Sequence, residues 1–205
     1  MGVGTNTNAI YYSISEGKIC RSFKEQTANS KSRTNKQGRL VHEEFYDYVD
    51  GVITSITTKD SDFGKFWMVT LDDSGQKQIL QMNYSSGYAN GFLKALPNVS
   101  LGEKVKIIPS MKMEGDKKKT TVFLSQHGQA IKWYYTKENP NGLPQLEQIK
   151  VKGKLTWDDS AAMEFLQKMV DTTIVPQLGK AAPAEDLQPQ EVGEDGEINT
   201  DDLPF

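Results

Sequence analysis

The residues Phe66-Trp-Met-Val-Thr-Leu71, Asp72-Asp-Ser-Gly75, Lys77-Gln-Ile-Leu-Gln-Met-Asn-Tyr84 and Gly87-Tyr-Ala-Asn-Gly-Phe-Leu-Lys-Ala-Leu96 decide the fold. Two runs rich in aromatic, β-branched and long apolar residues flank a tight turn of small and acidic ones, which predicts a hairpin. The third run reads as a short helix that Pro97 stops. Upstream, Leu40 to Thr57 is β-rich and contains Phe45-Tyr-Asp-Tyr-Val49 and Gly51-Val-Ile-Thr-Ser-Ile56. Gly51 inside that strand predicts a bend or bulge. Downstream, Lys104–Met113 and Thr120–His127 read as two strands around a loop, Glu114-Gly-Asp-Lys-Lys-Lys119.

The order is therefore β-β-β-α-β-β, which is that of the five-stranded OB barrel with its helix between the third and fourth strands. The fold class expected is mainly β. Before the barrel, Ala9–Ile14 and Lys18–Phe23 alternate around Ser15-Glu-Gly17, a second hairpin. Lys24 to Arg39 is almost free of apolar residues and reads as a mobile basic loop. After it, Ala130–Tyr135 and Ile149–Trp157 suggest extra strands. Ala162, Phe165, Leu166, Met169, Val170 and Ile174 then recur at helical spacing behind Asp158, Asp159 and Ser160 as candidate caps. That helix either packs on the barrel or pairs with a second copy, so a homodimer stays open. Four regions result: an N-terminal hairpin and basic loop over 1–39, the OB core over 40–135, C-terminal strands and amphipathic helix over 136–180, and a disordered acidic tail over 181–205.

Charge is divided unevenly. The chain has 205 residues, 24 Lys+Arg and 27 Asp+Glu, for a net charge of −3. Eight of the acidic residues and none of the basic ones fall in 183–205, so residues 1–182 carry 24 − 19 = +5 and the tail −8. A polyanion would meet the basic body and not the average. No run approaches the ~20 apolar residues of a membrane-spanning helix, and Met1–Ile10 lacks the pattern of a signal peptide, so no membrane association and a cytoplasmic location are expected. A single cysteine, Cys20, excludes an internal disulfide, and with only two histidines no zinc site is expected. Phosphate-binding, nucleophile-elbow and HExxH motifs are absent. No catalytic residue, cofactor or metal is expected.

A single nucleic-acid strand needs cations along its phosphates and exposed rings for its bases. Alternation places Trp67, Val69 and Leu71 on the core face of their strand and leaves Phe66 outside. By the same rule Val122 and Leu124 point in and Phe123 points out. Phe66 and Phe123 are the first stacking candidates, followed by Tyr46 and Tyr48, then Trp133 and Tyr135. The phosphate candidates are Lys59 and Lys65 in the first barrel loop and Lys117, Lys118 and Lys119 in the loop between the last two strands. Lys24, Lys31, Arg33, Lys36 and Arg39 in the basic loop complete them. Neither a zinc-finger spacing nor a basic or helix-turn-helix pattern for duplex reading is evident.

The last residues, Asp201-Asp-Leu-Pro-Phe205, put a ring, a proline and the terminal carboxylate at the end of an acidic tether, which makes a peptide ligand for a basic-rimmed apolar pocket. This tip resembles the Asp-rich, hydrophobic-Pro-Phe ending of bacterial single-stranded-DNA-binding proteins, with Leu203 where isoleucine is common. With the OB-like body, and with Tyr84-Ser-Ser-Gly-Tyr-Ala-Asn-Gly-Phe-Leu-Lys-Ala-Leu-Pro-Asn98 as a strand-to-helix segment, the chain resembles the single-stranded-DNA-binding proteins of tailed bacteriophages. The resemblance implies sequence-tolerant coating and protection of single-stranded DNA in replication, recombination and repair, in a host cytoplasm. It also implies recruitment of replication and recombination proteins by Asp201, Asp202, Leu203, Pro204 and Phe205. Two alternatives stand beside it: an RNA-binding OB or cold-shock-like module using the same groove, and a metal-dependent nuclease, for which the adjacent carboxylates Glu43 and Glu44 would point to opposite faces.

Overall fold

In the computed structural model the described residues are 9–35, 38–151 and 153–178. Twelve strands and two α-helices follow one another: β1 (Ile10–Ser15), β2 (Lys18–Phe23), β3 (Lys31–Thr34), β4 (Leu40–Tyr46), β5 (Val49–Ser61), β6 (Gly64–Asp73), β7 (Gln76–Asn83), α1 (Gly87–Ala95), β8 (Lys104–Glu114), β9 (Lys117–Gln126), β10 (Gln129–Ile131), β11 (Glu147–Val151), β12 (Lys154–Asp158) and α2 (Ser160–Met169). Ten of the strands form one mixed sheet in the order β10-β9-β8-β5-β6-β7-β1-β2-β4-β3, while β11 and β12 pair only with each other. Among these residues no helix is long and apolar enough to cross a membrane.

The centre of the sheet is the predicted part. β6 and β7 join through Ser74 and Gly75, both in the left-handed region, as a two-residue hairpin demands. β5 is long enough to pair with β6 along most of its length and with β8 through Val49–Val52. Its register slips between Ile53 and Ser55, two residues beyond the glycine expected to mark the irregularity. The expected strand Leu40–Thr57 is broken at Asp47 and Tyr48, and its first part, β4, leaves the central strands to pair with β2 and β3.

The ladder does not close into a barrel; β10 and β3 are its edges. β1 lies parallel against the free edge of β7, so the N-terminal hairpin extends the sheet. Helix α1 packs against β9. Gly87 and Gly91, one turn apart, allow that approach: a Cβ at 87 would sit 2.4 Å from the Thr120 carbonyl oxygen, and one at 91 would sit 2.8 Å from the Val122 nitrogen. Such contact with backbone cannot be relieved by turning a side chain. Gly91→Ala should therefore lower the urea midpoint by the equivalent of about 1–3 kcal/mol, the usual cost of overpacking, although alanine favours helix in isolation. An unchanged midpoint would mean that α1 does not rest on β9.

The basic segment is partly ordered by pairing. Lys31–Thr34 forms the edge strand β3, and the Arg33 guanidinium donates two hydrogen bonds, 2.8 and 2.9 Å, to the buried Glu43 carboxylate of β4. A polar edge carrying Lys and Arg discourages further strand addition. Lys36, expected in that loop, lies outside the described residues, as does the tail with its tip Asp201–Phe205.

The main core gathers Ile56, Trp67, Val69, Leu80, Phe92, Leu93, Ile107, Val122 and Leu124 with Met163, Leu166, Val170 and Ile174 of the C-terminal segment. The helical periodicity thus packs its apolar face within the chain. The candidate cap shifts by one residue from the N-cap position: Asp158 accepts bonds from the Ser160 backbone nitrogen and hydroxyl. Beyond α2 the chain continues in a π-helical turn, Val170–Ile174, and a 3-10 turn, Val175–Gln177, that contains Pro176.

Candidate nucleic-acid interface

The register across β5, β8 and β9 builds one solvent-facing strip. Ile107 of β8 pairs with Leu124 and with Val49, all buried, so their neighbours point the other way. On that outer face Lys106 lies opposite Ser125, Ile108 opposite Phe123, Ser110 opposite Thr121, and Lys112 opposite Lys119. Phe123 is 50% exposed. Tyr48, immediately before β5, is 46% exposed and carries the Lys106 ammonium 4.0 Å from its ring centre. Two aromatic faces and a row of lysines therefore share one surface. Lys104, Lys106, Lys112 and Lys119 meet three carboxylates: Asp50 opposite Lys106, Asp73 paired with Lys104, and Glu114, 3.0 Å from Lys119. Beside the strip a shallow depression of about 160 Å³ opens between Asp50, Lys104, Lys106, Ser125 and His127.

A second concavity, about 660 Å³, lies where the β8–β9 hairpin overhangs β7, β1 and β4. Glu16, Arg33, Glu43, Phe45, Gln81, Met111, Lys118 and Thr120 line it. Both of its cations face a carboxylate: Arg33 is held by Glu43, and Lys118 lies 3.2 Å from Glu16. Cys20 shares the Glu43 side of the sheet through its pairing with Phe45; burial first, and the Glu43 charge second, push its thiol well above the ordinary range. The side chain is 1% exposed and closed to solvent.

The aromatic candidates divide. Phe123 and Tyr48 belong to the strip. Phe66, expected outside, is only 2% exposed, because both faces of β6 are covered: Trp67, Val69 and Leu71 face the main core, and Phe66 joins Met68 and Ile79 in a second cluster under Ala9 and Tyr11. It cannot offer a ring to a base. Tyr135 is also withdrawn, 4% exposed and edge-on to Phe165. The expected strand over 130–135 shrinks to β10, Gln129–Ile131, and Trp133 lies beyond it, exposed, with the Lys94 ammonium 5.6 Å from its ring centre. Tyr46 is exposed but bound to Glu44 through its hydroxyl, and burial together with that carboxylate pushes its phenol up to about 12. An anion beside the ring makes it a poor neighbour for phosphate.

The cations divide as well. Lys117, Lys118 and Lys119 are the first residues of β9 and not a loop, so alternation sends Lys117 and Lys119 to the face of the strip and Lys118 to the cleft. Lys65 is engaged inside the fold, donating to Gln167 at 2.8 Å with its ammonium 4.4 Å from the Tyr84 ring centre. Lys59 sits in β5 opposite Phe66, away from the strip. Lys24, Lys31 and Arg39 are exposed on the N-terminal part, and Arg33 is held by Glu43. Lys106 and Lys112 lie within β8, outside the loops that the sequence offers as cation sites. The alternation Lys104-Val-Lys-Ile107 already carried the signal.

Glu43 and Glu44 take opposite faces of β4, one bound to Arg33 and the other accepting from the Thr27 hydroxyl at 2.5 Å. No group of three His, Cys, Asp or Glu side chains among the described residues could hold a metal ion. No protein-family model, curated protein or solved structure matches the chain.

Proposed function

We propose that this protein binds single-stranded DNA without sequence preference and protects it, its β5–β9 segment acting as an OB-type module. The observation that carries the reading is the strip of Tyr48, Lys106, Phe123, Lys112 and Lys119 on one sheet face. Rings in reach of bases and ammonium groups in reach of phosphates are what sequence-tolerant single-strand binding uses. The OB assignment is supported by the succession β5-β6-β7-α1-β8-β9 and by antiparallel pairing in the order β8-β5-β6-β7. DNA is preferred over RNA on the resemblance of the acidic tip; competition between oligo(dT) and oligo(U) for the protein decides that point, and stronger competition by oligo(U) would transfer the reading to RNA.

The tail completes the proposal. Its −8 against the body's +5 makes it a competitor for the basic surface, and DNA that displaces it would free Phe205 for replication and recombination proteins. Removing residues 183–205 should raise affinity for oligo(dT) at low salt, with the gain shrinking as salt screens the tail. Phe205→Ala should abolish partner binding and leave DNA affinity intact. If the truncated protein binds oligo(dT) no better than the full chain at low salt, the tail does not compete.

A further inference from the structure

The β11–β12 ribbon has no role in the strip, the cleft or the large sheet. Its register sets Gln148 opposite Trp157 and Lys150 opposite Leu155. These four residues therefore share one face, on which Trp157 is 61% and Leu155 70% exposed, with Lys150 exposed beside them. A two-stranded ribbon gains little stability by itself, and this one leaves its largest apolar side chains in water. Over 147–158 the sequence holds three lysines, all in the half towards the turn, and two acidic residues, Glu147 and Asp158, which lie opposite each other at the far end of the ribbon. Lysine is depleted from protein–protein interfaces, whereas a basic ribbon presenting an indole suits a strand that brings phosphates and bare bases. The chain is anchored on either side: Leu143 packs on the core before the ribbon, and α2 follows directly after it.

We infer that β11–β12 is a second contact arm for single-stranded nucleic acid, Trp157 stacking on a base while Lys150 meets a phosphate. The inference rests on the single-strand reading of the strip and extends it to a separate element.

The test compares four full-length proteins by anisotropy of a labelled oligo(dT) at two salt concentrations: the wild type, Trp157→Ala, Lys150→Ala, and the double variant Tyr48→Ala/Phe123→Ala. Trp157→Ala should weaken binding about 5- to 150-fold, the equivalent of one stacked base, with an unchanged salt slope. Lys150→Ala should make that slope shallower. A Trp133→Phe protein keeps only Trp67, 1% exposed, and Trp157; acrylamide quenching of it should fall when oligo(dT) is added. If the wild type binds and the double variant is weakened while both arm variants match the wild type, the arm is refuted and the strip survives. If the wild type does not bind at all, the single-strand reading itself fails. A wild-type dimer in sedimentation that Trp157→Ala turns into a monomer, with DNA affinity unchanged, would assign the ribbon to a second copy and overturn the inference.

Discussion

Replacing Tyr48 and Phe123 together by alanine is expected to lower oligo(dT) affinity by at least about 30-fold. Each stacked base is worth about 1–3 kcal/mol, and each 1.4 kcal/mol is a factor of ten. The two rings are exposed and stand on one sheet face, so their removal abolishes stacking without opening the core. The thermal midpoint should hardly move. The dependence of affinity on salt should also persist, because a ring releases no counterions. Substituting Lys106, Lys112 and Lys119 should do the reverse, making the salt slope shallower by about 0.7 for each single-strand phosphate that is no longer neutralised. Equal weakening at every salt concentration in the lysine variant would place the phosphates elsewhere. An unaltered affinity in the double aromatic variant would remove the strip from the site.

Phe66→Ala should behave in the opposite sense. A buried phenylalanine truncated to alanine costs about 3–5 kcal/mol, the transfer of the ring plus the cavity left behind. Phe66 is enclosed with Met68 and Ile79, and Ala9 and Tyr11 lie over that cluster. Urea denaturation should show a loss of that size, which is a large part of the stability of an ordinary domain. Oligo(dT) affinity of the remaining folded protein should match the wild type. A variant of wild-type stability that binds DNA poorly would mean that Phe66 reaches the nucleic acid and that its enclosure is wrong.

This pair of variants shows where the sequence was legible. Alternation separates two faces of a strand, and it correctly put Trp67, Val69, Leu71, Val122 and Leu124 on the core side. It does not say whether the other face is bare. The cover over Phe66 comes from Ala9 and Tyr11, more than fifty positions earlier, brought there by the parallel pairing of β1 with β7. Phe123 has no such cover and remained exposed as expected. Turns were readable for a local reason: Glu16-Gly17 and Ser74-Gly75 combine a short loop with a glycine that accepts positive φ. The second helix announced itself by its apolar period, and the first by the proline that follows it.

The misplaced features are those set by long-range pairing. Lys117–Lys119 looks like a loop because its polarity conceals the alternation, yet it pairs with Lys112–Glu114 as the outer end of a hairpin that extends beyond the core. Lys31–Thr34 has no apolar residue, and its strand conformation comes from β4 beside it and from the Arg33–Glu43 ion pair. Barrel closure is also non-local. Element order predicted it, but β1 takes the edge of β7 and α1 lies along β9, so the ten-stranded sheet stays open.

The most direct test of the central claim is anisotropy of a labelled oligo(dT) titrated with the full chain, beside a duplex of equal length, at low and moderate salt. The account predicts tight, salt-sensitive binding of the single strand and far weaker binding of the duplex, whose bases are already stacked and cannot use Tyr48 or Phe123. Equal affinity for both, or none for either, would contradict it.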